Sequence, residues 1–220
     1  MKKIILFTLF YCISILSFAQ EIKIVDKPIT YDSTRVRLSL QYLKERHGII
    51  QNTPTIQPKI IVLHWTAAKT FSSTFNAFNP AKLPNGDRKD IAIVSSLNTS
   101  SQFMVDRDGT IYRLMPENYF ARHVIGLNYC AIGIENVGSG DFPLTDAQLK
   151  ANIELVKYLS KKYNIEYLIG HYEYTKFKNT SLWKETNPKY QTGKSDPGAD
   201  FMLKVRNSVK DLNLKGVPTK

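Results

Sequence analysis

Three polar residues stand where buried strands are predicted to end: His64, Glu135 and His171. Each follows a run of apolar residues, and in α/β sheets such strand ends form the crevice in which ligands bind. A single buried histidine is ordinarily a core residue with satisfied hydrogen bonds. Two histidines and one carboxylate at three strand ends are harder to explain by packing, so we predict that they share a functional site.

A fourth stretch, residues 193–198, precedes the last predicted helix and carries Lys194 and Asp196. Residues two apart in an extended segment point to the same side, so both side chains should face one site. The alternative is that Asp196 caps the helix, with Pro197 at the first helical position. The two roles are compatible, because a capping carboxylate keeps one oxygen free.

Together, His64, His171 and Asp196 offer two imidazoles and one carboxylate, the ligand set of a catalytic zinc site with one position open for water. We therefore predict one Zn²⁺ per chain, which would lower the pKa of that water. Glu135 would accept the water proton and pass it to the leaving nitrogen of an amide. Lys194 would hydrogen-bond the oxyanion that develops on the carbonyl oxygen.

Strands are predicted from near-continuous apolar runs at residues 59–65, 131–135 and 167–171, the pattern of strands buried on both faces. A hairpin is predicted over 103–105 and 110–114, because the Asp-Arg-Asp-Gly sequence between them is typical of a turn.

Helices are predicted over residues 36–47 and from 146 to about 163, with Thr145 and Gln148 forming a capping box on the latter. The last helix has apolar residues on one face: Phe201, Val205, Val209 and Leu212. Residues 79–90 and 175–195 are predicted as loops and 21–35 as an extended lead-in, while His47 is predicted to be a surface residue. Because predicted strands alternate with predicted helices and one hairpin intervenes, we predict an α/β fold with a mixed central β-sheet flanked by helices.

The N-terminus is typical of a secretory signal peptide, with two lysines followed by an apolar run and Ala19. The run of about fifteen residues is shorter than the roughly twenty that span a bilayer, so we predict cleavage near Ala19 and no stable membrane anchor afterwards. We divide the chain into a signal peptide (1–20), a lead-in with a short helix (21–57) and a catalytic domain (58–220).

The charge of +11 comes without a Lys/Arg-rich run with interleaved aromatic residues, so nucleic acid is not predicted as a partner. Only Cys130 follows the predicted cleavage site, which excludes an intramolecular disulfide.

Six short motifs occur in an order that resembles the N-acetylmuramoyl-L-alanine amidase family, which includes phage-lysozyme-type amidases and peptidoglycan recognition proteins. The resemblance covers about residues 58–212. The motifs are Val-Leu-His-Trp-Thr-Ala at 62–67, Val-Asp-Arg-Asp-Gly-Thr-Ile-Tyr at 105–112, His123, Ala-Ile-Gly-Ile-Glu at 131–135, Gly-His at 170–171 and Lys-Ser-Asp-Pro-Gly at 194–198.

The resemblance implies a peptidoglycan-recognition-protein-like amidase fold and hydrolysis of the bond between N-acetylmuramic acid and L-alanine, with peptidoglycan or muropeptides as partners. It implies zinc ligands at His64, His171 and Asp196, the last in place of a cysteine found in other members. Lys194 would lie beside the scissile carbonyl.

Family members use either a hairpin tyrosine or a later glutamate as the acid/base. Here the hairpin begins Ser100-Ser101-Gln102-Phe103, without the tyrosine, and Glu135 is present, so the chain is similar to the glutamate branch that includes cell-wall recycling enzymes. The resemblance also implies that His123 binds substrate, and we assign Trp65 to the same surface.

Export predicts a periplasmic protein, with secretion as the alternative; the oligomeric state is not predicted. One rival function is a non-catalytic peptidoglycan-binding module of the same fold, a class in which one zinc ligand is typically lost. Another is a cysteine hydrolase that uses Cys130 with His123, which needs an exposed thiol in an electropositive setting.

Overall fold

The structure, a computed structural model, describes residues 22–84 and 88–218. The predicted signal peptide lies outside the described residues, so export stays a prediction. Within the described ranges, no helix combines the length and the apolar character needed to cross a bilayer.

A six-stranded sheet forms the centre of the protein, in the order β1-β4-β3-β5-β2-β6. Only the β3–β4 hairpin is antiparallel, and the other neighbouring strands run parallel. The predicted mixed sheet is therefore confirmed. The strands are β1 (Ile24–Asp26), β2 (Ile60–Trp65), β3 (Phe103–Val105), β4 (Ile111–Arg113), β5 (Ala131–Asn136) and β6 (Tyr167–Gly170).

Helices flank the sheet, and α4 carries the predicted capping box between Thr145 and Gln148. The helices are α1 (Ser33–His47), α2 (Phe71–Phe78), α3 (Lys89–Ala92), α4 (Asp146–Lys162) and α5 (Ala199–Ser208), with 3₁₀ turns at His171–Phe177 and Lys210–Leu212. The sequence prediction missed α2 and the first 3₁₀ turn, and α3 lies at the end of a stretch predicted as loop.

The buried strands divide their side chains between two cores with a period of two. In β2, Ile61 and Leu63 pack into the core that holds residues of α4 and α5. Ile60 and Val62 point to the opposite face and pack with Ile169 of β6. Both faces of β2 are buried, which explains its unbroken apolar run.

The N-terminal segment is built into this architecture. β1 pairs in parallel with β4. The sequence predicted only an extended segment over residues 21–35, because a strand of three residues is too short to show a hydrophobic period. α1 begins at the N-cap Asp32 and ends at Gly48, whose φ of 66° is readily adopted by glycine. Its buried Leu38 and Tyr42 pack against Phe120, so the helix contributes a core of its own.

The last turn of α1 holds the loop that leads toward Lys194. The main-chain and hydroxyl groups of Thr186 donate hydrogen bonds to the carbonyls of Arg46 (3.1 Å) and Glu45 (2.9 Å). His47 lies 3.0 Å from the carbonyl of Lys184, and Arg46 pairs with Glu185. These bonds fix residues 184–186, which lie eight to ten residues before Lys194.

His47 is buried, and the prediction that it lies at the surface is wrong. Its ring packs among Tyr42, Phe120 and Tyr129 because the 184–186 loop covers the helix end. Because the carbonyl oxygen of Lys184 can only accept, Nδ1 of His47 carries a proton and donates it. Burial lowers the pKa of His47 to about 4, although the hydrogen bond to Lys184 acts in the opposite direction.

We expect His47 to make the fold less stable in acid. Its folded pKa of about 4 lies below the ordinary 6.5, so unfolding takes up a proton between these values. The free energy of unfolding should therefore fall with decreasing pH in this window, by up to about 1.4 kcal/mol per pH unit from this group. His47→Leu lacks that contribution. Urea unfolding of both proteins across the window should show a shallower pH dependence for the variant, and equal slopes would contradict the assignment.

Candidate metal centre

Three neighbouring parallel strands, β5, β2 and β6, end at the same edge of the sheet. Their register pairs His64 with Glu135 and places Leu63 beside Gly170, so that His171 follows at the level of His64. Side chains two apart share a face, so His64, Glu135 and His171 lie on the face of Val62 and Ile169. The structure thus brings together the three residues that were predicted, from their positions at strand ends, to share a site.

Asp196 joins this group from the loop before α5. The N-cap of α5 is Gly198, with no capping side chain, so the interpretation of Asp196 as a helix cap is wrong. The helix begins one residue after a glycine with a φ of 90°, and this leaves the Asp196 carboxylate free to turn inward. Its carbonyl accepts a hydrogen bond from the main-chain N–H of Tyr172 at 3.0 Å, which ties the loop to the end of β6.

The donor atoms form a compact triangle. His64 Nδ1 lies 3.0 Å from His171 Nδ1 and 3.2 Å from Asp196 Oδ2, and His171 Nδ1 lies 3.0 Å from the same oxygen. A tetrahedral zinc ion with bonds of about 2.0–2.1 Å holds its ligand atoms roughly 3.3 Å apart. All three residues are buried. Both the spacing and the donor types therefore fit one zinc ion.

The protonation states also suit metal binding. Burial, followed by repulsion from His64, lowers the pKa of His171 to about 4 against the opposing effect of Asp196. Burial alone would raise the pKa of Asp196, but hydrogen bonds with His171 and His64 outweigh it and hold that pKa well below its ordinary value. At neutral pH His171 thus offers a neutral imidazole and Asp196 an ionised carboxylate, the forms that coordinate metals.

Glu135 stands beside the triangle with an unsatisfied carboxylate. It is buried, and its Oε2 makes no hydrogen bond with any described residue. Burial raises the pKa of Glu135 to about 7; Asp196 adds to the rise, while His64, Lys194 and Arg88 oppose it. A carboxyl group with a pKa near neutrality is suited to accept a proton and return it.

One cavity of about 300 Å³ contains the whole predicted site. Its lining includes all seven residues singled out from the sequence: His64, Trp65, His123, Glu135, His171, Lys194 and Asp196. Trp65 also lines an adjoining groove beside Gly198 and Phe201. The shared location is established, whereas the individual roles of these residues stay predictions.

Sequence reasoning missed other residues of the cavity wall. Arg88 lies exposed at the cavity, and Tyr42 reaches it from α1. Arg122 also lines it, but its guanidinium is engaged by the carbonyls of Leu97 (2.6 Å) and Ile91 (2.7 Å). Arg88, Arg122 and Tyr42 belong to none of the six motifs and lie at no predicted strand end, so no local pattern indicated them.

Cys130 lies outside this cavity, and the cysteine-hydrolase alternative finds no support. The thiol is 2% exposed and contacts the carbonyl of Leu127 at 3.5 Å. Burial raises its pKa to about 12, so it carries essentially no thiolate at neutral pH.

Comparison with known proteins gives a family match in sequence. The family model described as N-acetylmuramoyl-L-alanine amidase matches residues 52–199. A comparison with curated protein sequences found no match.

Three similar solved structures each share less than 25% sequence identity with this chain. Bumblebee PGRP-SA shares 16% identity with a TM-score of 0.51, over 90% of this chain and 99% of that chain, and supports a common fold. The amidase LysC from Clostridium intestinale URNW shares 22% identity with a TM-score of 0.49, over 89% and 100%. A selenomethionine derivative of AmpD shares 23% identity with a TM-score of 0.49, over 69% and 84%.

The donor triangle predicts one zinc ion per chain and its loss when one donor is removed. Asp196→Ala should weaken zinc binding by more than about 100-fold. Losing a residue that only hydrogen-bonds a metal ligand already weakens binding by up to about that factor, and Asp196 is proposed to contact the metal itself. Competition with a chromophoric zinc chelator measures the affinity. Asp200→Ala is the matched control, because Asp200 is exposed in the first turn of α5. Equal affinities of Asp196→Ala and the parent protein would exclude Asp196 as a ligand.

Proposed function

The chain belongs to the N-acetylmuramoyl-L-alanine amidase family, and we propose that it uses one zinc ion to hydrolyse the amide bond between N-acetylmuramic acid and the L-alanine of the peptidoglycan stem peptide. The observation that carries the proposal is the buried triangle of His64, His171 and Asp196 beside the unsatisfied Glu135. These residues combine a metal-binding donor set with a proton acceptor in a single cavity.

His64, His171 and Asp196 would hold the zinc ion, which would supply an activated water at neutral pH and polarise the scissile carbonyl. The chain contributes the position of the donors, the exclusion of bulk water by burial, and the groups that move protons and balance charge. His64 and His171 come from rigid strand ends, which hold a site more accurately than flexible loops do.

Glu135 is proposed to move the proton. It accepts a proton from the attacking water and returns it to the nitrogen of L-alanine as the C–N bond breaks. The products are the carboxylate on the muramic acid side and a peptide with a free amino terminus. The pKa of Glu135 of about 7 suits both halves of this transfer.

Lys194 is proposed to stabilise the oxygen of the scissile carbonyl as negative charge develops on it. Lys194 is half-buried on the cavity wall; its charge opposes the rise in the pKa of Glu135 and contributes to the lowering of the pKa of His171. Lys194 is therefore electrostatically coupled to the site where the charge develops.

The substrate is proposed to be peptidoglycan or soluble muropeptides outside the cytoplasm, with the periplasm as the expected location. The signal-like N-terminus supports export. The rival, a binding module of the same fold without catalysis, has no need of a buried carboxylate with a pKa near 7, because that group contributes to proton transfer rather than to affinity.

Digestion of purified muropeptides tests the reaction directly. Mass spectrometry should detect release of peptides that begin with L-alanine, lost after chelation and restored by added zinc. Binding of muropeptides by the zinc-loaded protein without such release would instead identify a binding module, and cleavage that survives complete metal removal would exclude the zinc mechanism.

Glu135→Gln should retain zinc while turnover falls by roughly 10²–10⁴, the range for a missing general acid/base. The amide keeps the shape of the carboxylate but accepts no proton at neutral pH. Steady-state rates on the same muropeptides, together with metal content, provide the measurement. Glu154→Gln on the exposed side of α4 is the matched control and should retain the parent rate. A full rate for Glu135→Gln would remove Glu135 from the mechanism.

A further inference from the structure

His123 lies between the zinc ligand His64 and the main chain of β5. Its Nδ1 is 3.0 Å from His64 Nε2, the ring nitrogen that points away from the donor triangle. Its Nε2 is 3.2 Å from the carbonyl oxygen of Ala131. The two imidazoles meet edge to face, with an interplanar angle of 86°.

The direction of both hydrogen bonds follows from the chemistry of the carbonyl group. The oxygen of Ala131 can only accept, so Nε2 of His123 carries the proton and donates it. Nδ1 of the neutral His123 ring then has a lone pair and accepts from Nε2–H of His64. With its proton on Nε2, neutral His64 presents an unprotonated Nδ1 to His171 and Asp196.

We propose that His123 is a positioning residue that fixes the tautomer and the ring orientation of His64 so that Nδ1 faces the metal. The inference rests on the proposed zinc function. Metal-bound histidines commonly donate their second N–H to an acceptor, and loss of such an acceptor weakens metal binding. Here the acceptor is a second imidazole, whose own tautomer is set by a strand carbonyl.

Two features of the fold hold the His123 ring in this place. Gly133 lies on the same face of β5 as Glu135, and a Cβ there would come within 2.8 Å of Cγ and Nδ1 of His123. Only a glycine leaves room for the ring to lie on the strand. The buried Asn128 accepts hydrogen bonds from the main-chain N–H groups of His123 (2.8 Å) and Val124 (2.7 Å).

This role differs from the substrate binding that the resemblance implies for His123. Both ring nitrogens are engaged within the protein, so neither is free to hydrogen-bond a substrate in this arrangement. His123 lines the cavity, but its polar atoms point to His64 and to the strand.

Zinc affinity tests the proposal without relying on activity. In competition with a chelating dye, His123→Leu should bind zinc about 10–100-fold more weakly than the parent protein, because Nε2–H of His64 loses its acceptor. His123→Asn should restore most of the affinity, since Oδ1 of asparagine stands near the position of Nδ1 and accepts the same hydrogen bond. Asp200→Ala, at an exposed position in the first turn of α5, is the control, and its zinc affinity should equal that of the parent protein.

Nitrogen-15 NMR of the zinc-loaded parent protein gives an independent readout. We expect a proton on Nε2 of His64, with its Nδ1 bound to metal, and a proton on Nε2 of His123. Coordination through Nε2 of His64, a proton on Nδ1 of neutral His123, or equal zinc affinities of His123→Leu and the parent would each overturn the proposal.

The same measurements separate this inference from the proposed function. A parent protein that binds no zinc contradicts the proposed function itself. A parent that binds zinc and cleaves muropeptides, together with a folded His123→Leu variant of unchanged affinity, contradicts only the positioning role. Circular dichroism of each variant establishes that it is folded before its affinity is compared.

Discussion

The register of three parallel strands is the constraint on which the rest of the site depends. β5, β2 and β6 end together at one edge of the sheet, so His64, Glu135 and His171 lie on one face at one level. A slip of one residue in any of these strands would turn its polar side chain into the opposite core. The apolar residues that alternate between the two cores, such as Leu63 and Val62, resist that slip, because it would exchange the packing on both faces.

The buried polar cluster also destabilises the fold. Burying imidazoles and carboxylates costs free energy unless they are paired, and Oε2 of Glu135 finds no hydrogen bond among the described residues. A divalent cation between His64, His171 and Asp196 would offset part of this cost by bonding to their donor atoms and attracting the nearby carboxylates. The same burial raises the pKa of Glu135 to about 7. The feature that costs stability is thus the one that adapts the carboxyl group to proton transfer.

Supports from several parts of the chain converge on the site. The last turn of α1 binds the 184–186 loop, which lies upstream of Lys194 and Asp196, although α1 precedes the range that matches the family model. The ring of His123 occupies the space left by Gly133 and connects β5 to the back of His64. The donors are therefore held by surrounding structure on more than one side, as accurate metal geometry requires.

Local patterns in the sequence determined five of the six strands, the α4 capping box and the polar residues at strand ends, because periodicity and capping depend on neighbours a few residues apart. The resemblance of the six motifs to a known family indicated the family and implied that motifs far apart in the sequence form one site. Only the tertiary structure decided that Asp196 turns inward instead of capping α5, that His47 is buried, and that His123 contacts His64. Those outcomes depend on which segments cover one another across large separations along the chain, and the free energy that decides them comes from burial and contacts that no local stretch contains.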